Sequence, residues 1–234
     1  MIALTIAATS VWCQDLPLSR MAMSSVRDTY SRTARSIVWV YRLKADGRHA
    51  DRCSGFISGK DEITTAFECV VNTARMEIVF ENGRKVQTDS LFQWNRTSNW
   101  ATMRASTSEP ALPIGDPASV KSGDSLDAFN VEATLVRTLA QVNVKLIKSP
   151  DIGEIFELDP WPSPASVGGP LLDPAGGVVA ILSSTAEAIK PRPASDFHFD
   201  IEAWPRYAIP TGASPSATKG MIKLSDLAKN RGEL

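Results

Sequence analysis

Residues 53–71 read CSGFISGKDEITTAFECVV. Two cysteines, Cys53 and Cys69, bracket a short β-type run at 55–58, a polar turn at 59–62 and a second run from Ile63. Runs of this kind around a polar turn predict a β-hairpin, and the two thiols are placed to close it.

Outward from the hairpin the same punctuation repeats. Residues 37–41, IVWVY, form a continuous β-rich run. Residues 76–80 and 84–88 flank Glu81-Asn82-Gly83, and Asn-Gly between two strand-like runs is a strong local hairpin signal. Further short strands are expected at 100–104, 125–130, 133–136, 142–147, 155–158, 171–172, 178–182 and 207–210. Many short strands separated by turns predict an all-β chain, a sandwich or a barrel. Glu109-Pro110-Ala111-Leu112-Pro113 reads as a linker, and 191–205, with three prolines, as a surface loop. Residues 14–35 form a polar lead-in with weak helical spacing. At the other end, 218–230 (TKGMIKLSDLAKN) places Met221, Ile222, Leu224, Leu227 and Ala228 near helical spacing and predicts a C-terminal helix.

The chain has 234 residues, 43% of them hydrophobic, which is enough apolar material for a real core. A formal net charge of −1 gives no electrostatic reason to expect nucleic acid or an anionic membrane. No apolar run approaches the roughly 20 residues of a membrane-spanning helix. Residues 1–13 are apolar and short, predicting a signal peptide, with a buried strand as the alternative. Removal of that leader at or near Cys13 would leave Cys53 and Cys69 as one candidate disulfide. Such a bond persists in an oxidising compartment, so a secreted or periplasmic location follows.

The segment Ile63-Thr64-Thr65-Ala66-Phe67-Glu68-Cys69-Val70 resembles the V-L-T-A-A-H-C-V signature of trypsin-like serine proteases. Three later stretches follow in the family's order. Residues 96–104, RTSNWATMR, resemble the R-T-D-L-A-V-L-K stretch of HtrA/DegP-type members; 112–116 with 120–124 resemble the passage into their second barrel. Residues 165–172, ASVGGPLL, resemble G-N-S-G-G-P-L-L, followed by G-x-V-I-G-I-like and F-A-I-P-like segments. The ordered set covers about 36–211. It implies two antiparallel β-barrels, at about 36–110 and 111–212, followed by the helix and tail at 213–234. It also implies that Cys53 and Cys69 form the disulfide of the family's histidine loop.

The resemblance places the catalytic triad at Glu68, Asn99 and Val167, and the oxyanion loop at Ala165 and Gly168. None of the three triad residues is the family's own. A serine protease needs a nucleophilic hydroxyl, an imidazole to shuttle its proton and a carboxylate to orient the imidazole. Val167 has no nucleophile, Glu68 is a weaker base than imidazole at neutral pH, and Asn99 carries no charge. Ala165 stands where the family has a glycine whose N–H lines the oxyanion hole. No triad position is intact, which implies a pseudoprotease. Ser166 lies one position early, so its side chain is expected to point elsewhere. A hydrogen bond between Glu68 and Asn99 would contribute roughly 1.5 to 3 kcal/mol. The disulfide would contribute roughly 3 kcal/mol and so rank as the greater support.

Neither histidine supplies a replacement base. His49 and His198 read as solvated loop residues, although Asp196 and Asp200 flank His198 in an alternating D-F-H-F-D. Cys53 and Cys69 lack further Cys or His at metal-ligand spacing, so no metal or cofactor is expected. Asn95-Arg96-Thr97 has the form of a glycosylation acceptor. The expected function is binding of a partner protein or an extended peptide in the inter-barrel groove, by β-strand addition. The alternatives are a hydrolase with a non-standard nucleophile and a structural accessory subunit whose groove is filled by Phe67, Val167 and Trp161.

Overall fold

The computed structural model describes residues 26–44, 46–71, 73–131, 137–186, 206–211 and 218–224. The signal peptide expected over 1–13, the strand over 133–136, the loop over 191–205 and His198 with Asp196 and Asp200 lie outside them.

The chain enters through a helix over 26–33 and a 3-10 turn, Ala34–Ser36. Seven strands follow: β1 (Ile37–Leu43), β2 (His49–Gly59), β3 (Glu62–Ala66), β4 (Met76–Val79), β5 (Lys85–Thr88), β6 (Ser90–Asn95) and β7 (Trp100–Arg104). β1 lies between β2 and β4 and is antiparallel to both. Its run of four fully buried residues is the pattern of a strand covered on both faces. The hairpin of β2 and β3 forms as expected, and Cys53 is bonded to Cys69. At the β4–β5 turn Gly83 takes φ +80°, the left-handed conformation glycine adopts freely, and the Asn82 Oδ1 accepts from the Arg84 N–H.

Six strands build the second half: β8 (Ser125–Val131), β9 (Arg137–Ser149), β10 (Gly153–Asp159), β11 (Pro170–Leu172), β12 (Val178–Ser183) and β13 (Tyr207–Pro210). They close into a barrel in the order β10-β13-β12-β11-β8-β9. The first half does not close. With a last strand, β14 (Thr218–Lys223), it is an eight-stranded half-barrel ordered β14-β6-β7-β3-β2-β1-β4-β5. The molecule is therefore all-β and antiparallel, one closed barrel beside one open sheet.

Two elements depart from the sequence reading. Residues 90–95 are a strand, although no alternation marks them, because the register with β7 shifts between Leu91 and Gln93. The C-terminal helix expected from 218 onward is a correction: Thr218–Lys223 is a strand, β14, antiparallel to β6. The apolar pair Met221-Ile222 fits either period, and an unpaired edge on β6 decides for pairing. Residues 225–230 lie outside the described part.

The two halves share one core. Phe56, Ile63, Phe67 and Met103 from the first sheet pack in the same cluster as Phe129, Val167, Leu172 and Val178 from the second. The linker between them is bonded to both sides. The Leu112 N–H donates to the Ile57 carbonyl, and the Val178 N–H donates to the Pro113 carbonyl, each at 2.8 Å. Among the described residues no helix is long and apolar enough to cross a membrane.

Candidate functional site

Glu68, Asn99 and Val167 come together at the seam between the sheets. β3 ends at Ala66 and the chain turns immediately through the 3-10 turn Phe67–Cys69. The disulfide to β2 pins the end of that turn. Glu68 is thereby directed inward and is only 4% exposed. Asn99 stands just before β7 with φ +44°, a left-handed backbone that asparagine tolerates better than most residues.

The two side chains are locked to each other. The Glu68 N–H donates to Asn99 Oδ1 at 2.9 Å, and Asn99 Nδ2 donates to Glu68 Oε1 at 2.9 Å. The Phe67 N–H donates to the Asn99 carbonyl at 3.1 Å.

Two residues that sequence reasoning missed complete the cluster. Asn99 Nδ2 also donates to Ser183 Oγ at 2.7 Å. Ser183 Oγ, with a single proton, lies 3.2 Å from Glu68 Oε1 and 2.8 Å from the Thr185 carbonyl. The Ser184 N–H donates to Glu68 Oε1 at 3.0 Å, and the Ser184 hydroxyl donates to Glu68 Oε2. Both carboxylate oxygens are therefore engaged by residues at and just past the end of β12, 115 and 116 residues away in sequence. The available signal was the pair Ser183-Ser184 ending the apolar run VVAIL, where polar side chains must find buried partners.

Val167 is 1% exposed and lies in the shared core with Phe67 and both cysteines. It follows the 3-10 turn Pro164–Ser166, whose geometry uses its amides internally. The Ser166 N–H donates to the Ser163 carbonyl at 2.9 Å and the Val167 N–H to the Pro164 carbonyl at 3.3 Å. Ala165 packs beside Trp39, Val79 and Val131, and its carbonyl accepts from Ser54 Oγ at 2.8 Å. Gly168 has φ +84°, and a Cβ there would sit 2.2 Å from Thr65 Oγ1 and 2.4 Å from the Ser54 carbonyl. Only glycine fits.

The remaining candidates lie apart from this cluster or are engaged elsewhere. Ser166 is fully buried, and its Oγ accepts from the Val131 N–H at 3.1 Å. His49 is exposed, stacks on Tyr41 and meets Glu77 Oε1 at 2.9 Å. Burial raises the Glu77 pKa, but hydrogen bonds from His49, Lys85 and Gln87 outweigh it and hold the group below its usual range. Asn95 is buried, with Oδ1 accepting from the Ser98 N–H, so it presents no glycosylation acceptor. Phe67 is buried, whereas Trp161 is 43% exposed and stacked under Arg206. Among the described residues no three His, Cys, Asp or Glu side chains gather as a metal site.

Residues 53–181, more than half of the chain, match the trypsin-like peptidase domain model. The chain belongs to that family. Within it, the fold is HtrA-like. It superimposes on the HtrA-type protease AlgW with tripeptide at a TM-score of 0.63 and 17% identity, covering 80% of this chain and 60% of that one. For Deg5 the TM-score is 0.61 at 18% identity, covering 81% of this chain and 90% of that one. Among curated proteins, the anti-sigma-I factor RsgI9 of Acetivibrio thermocellus is 24% identical over 150 residues, 63% of this chain. The match spans only 21% of that protein's length.

Proposed function

We propose that this chain is a trypsin-like, HtrA-like domain that no longer cleaves peptide bonds and acts outside the cytoplasm by binding a peptide or partner protein. The observation that carries this reading is the state of the three triad positions. Glu68 is held by Asn99, Ser183 and Ser184, and Val167 offers only buried hydrocarbon. Stabilising an oxyanion requires N–H groups free to face the developing charge. Here the Val167 amide is spent on Pro164. Ser166, the nearest hydroxyl, is buried and turned to β8, which speaks against the non-standard hydrolase.

Binding needs none of these groups, because strand addition works through backbone hydrogen bonds. A solved HtrA-type relative holds a tripeptide. The disulfide and the HtrA-like fold support a secreted or periplasmic setting. A second reading, a structural accessory subunit, is favoured by the burial of Phe67 and Val167, while exposed Trp161 does not plug a groove.

Exposure to a fluorophosphonate probe and unfolded casein tests the first claim. Neither labelling nor cleavage is expected, and labelling lost in Ser166→Ala would establish a hydrolase instead. A peptide array tests the second claim. Saturable binding of a peptide supports a binder; an array without binding supports the accessory role.

A further inference from the structure

Leu126 and Ala128 of β8 point into the closed barrel, where they pack with Val142, Leu171 and Ala180. Strand alternation therefore sends Asp127 and Phe129 to the barrel's outer face. The entry helix over 26–33 covers that face. Tyr30 lies against Phe129 with ring centroids 5.7 Å apart, and the Thr29 hydroxyl donates to the Asp127 carboxylate. Thr29 is 1% exposed and Asp127 6%, so the carboxylate is sealed between helix and barrel.

Among the described residues no cation pairs with Asp127. In register it lies opposite Gln141 on β9 and Leu172 on β11, both uncharged. On the helix, Arg27, Asp28 and Arg32 are exposed, and Arg32 Nη2 reaches Thr29 Oγ1, at 3.5 Å. Arg137 of β9 is committed elsewhere. Its Nη1 donates to the Ala34 carbonyl at 2.9 Å and its guanidinium carbon lies 3.6 Å from the Trp39 ring centroid, while Nε and Nη2 are buried without an acceptor. Asp173, just past β11, accepts from the Ala175 and Gly177 N–H groups. Burial raises the Asp127 pKa, and the hydrogen bond from Thr29 opposes it only in part. A buried charge without a partner opposes the contact that buries it.

From Ala34 onward the chain is pinned. Arg137 holds the Ala34 carbonyl, and the Ser36 hydroxyl donates to the Pro110 carbonyl at 2.8 Å. The helix before that point rests on the barrel through Thr29 and Tyr30, so it can lift about the 3-10 turn Ala34–Ser36.

We propose that the entry helix is a proton-set latch, docked tightly on the second barrel while Asp127 carries a proton and loosened about the 34–36 turn when the carboxylate ionises. Docking buries the charge, whereas lifting returns it to water, where a carboxyl titrates in its ordinary range. The docked pKa lies above the lifted one. Docking is therefore strongest below the lifted value, weakens as pH rises through the docked value and is level above it. This device is independent of anything bound in the inter-barrel groove.

Hydrogen exchange of the full chain, read as protection factors of the 26–33 amides between pH 4 and pH 7.5, tests this. Those amides are expected to exchange faster than the amides of β1 throughout, because the helix opens ahead of global unfolding. Their protection is expected to fall at least threefold across that range in the wild type. In Asp127→Asn, an amide of the same shape that keeps an acceptor for Thr29, it is expected to change less than twofold. A flat wild-type profile, an equal fall in Asp127→Asn, or helix amides exchanging no faster than those of β1 would each overturn the assignment.

Discussion

Replacing Glu68 with alanine should be among the most damaging single changes in the molecule. The substitution removes the acceptor of Asn99 Nδ2 and of the Ser184 N–H, and the partner of the Ser184 hydroxyl. Asn99 is 1% exposed, and its second Nδ2 proton is already used by Ser183. Each buried donor left without an acceptor costs about 1–3 kcal/mol. The half-buried Ser184 hydroxyl can turn to water, so two orphaned donors set a loss of about 2–6 kcal/mol, centred near 4. Against a total stability of about 5–15 kcal/mol that is a large fraction. Urea denaturation at pH 7 with the disulfide intact reads it directly, as a lower midpoint at unchanged slope. Glu68→His should also destabilise, because a neutral imidazole offers one acceptor where this site presents three donors. A loss below about 1 kcal/mol for Glu68→Ala would rule out this role for the carboxylate, as would additivity within about 0.5 kcal/mol between Glu68→Ala and Ser184→Ala. The closed disulfide loop contributes about 3 kcal/mol in the chain-entropy model. The ranking that puts the disulfide first rested on a single hydrogen bond to Glu68, and the cluster as built makes the two supports comparable.

Asn99→Asp removes the Nδ2 donor and sets two carboxylates about 2.9 Å apart. It should destabilise at neutral pH, and the loss should shrink as pH falls and one group takes a proton; an unchanged melting temperature at pH 7 would contradict this. Gly168→Ala should fail to fold or lose more than about 3 kcal/mol, given the left-handed backbone and the 2.2 Å approach to Thr65, as followed by circular dichroism. Asp127 is buried, and desolvation raises its pKa despite a hydrogen bond from Thr29. Its contribution is therefore most favourable below the unfolded pKa and declines as pH rises through the folded one. Asp127→Asn should stabilise at pH 7 and do little at pH 3, in melting curves compared at both.

The sequence marks most strands because their hydrophobic runs are bounded by turn residues, and it marks Glu68, Asn99 and Val167 because an ordered resemblance assigns them places. What it could not reveal is what Glu68 touches. Ser183 and Ser184 lie more than a hundred residues downstream, and no local period connects a 3-10 turn to the end of β12. β6 and β14 were illegible for a related reason. Each is a strand chiefly because the other or β7 borders it, and Met221-Ile222-x-Leu224 satisfies helical and extended patterns equally well. The orphaned donors of Arg137 were invisible as well, since an arginine in sequence reads as surface charge until its burial is known.

The stitched connector has a mechanical corollary. Within a few residues it is riveted to Ser36 and Ile57 on one side and to Val178 on the other. Opening like a jaw would part the core that the two halves share. On the binding reading the ligand must suit a shape fixed in advance, and heating should melt both halves in a single calorimetric peak.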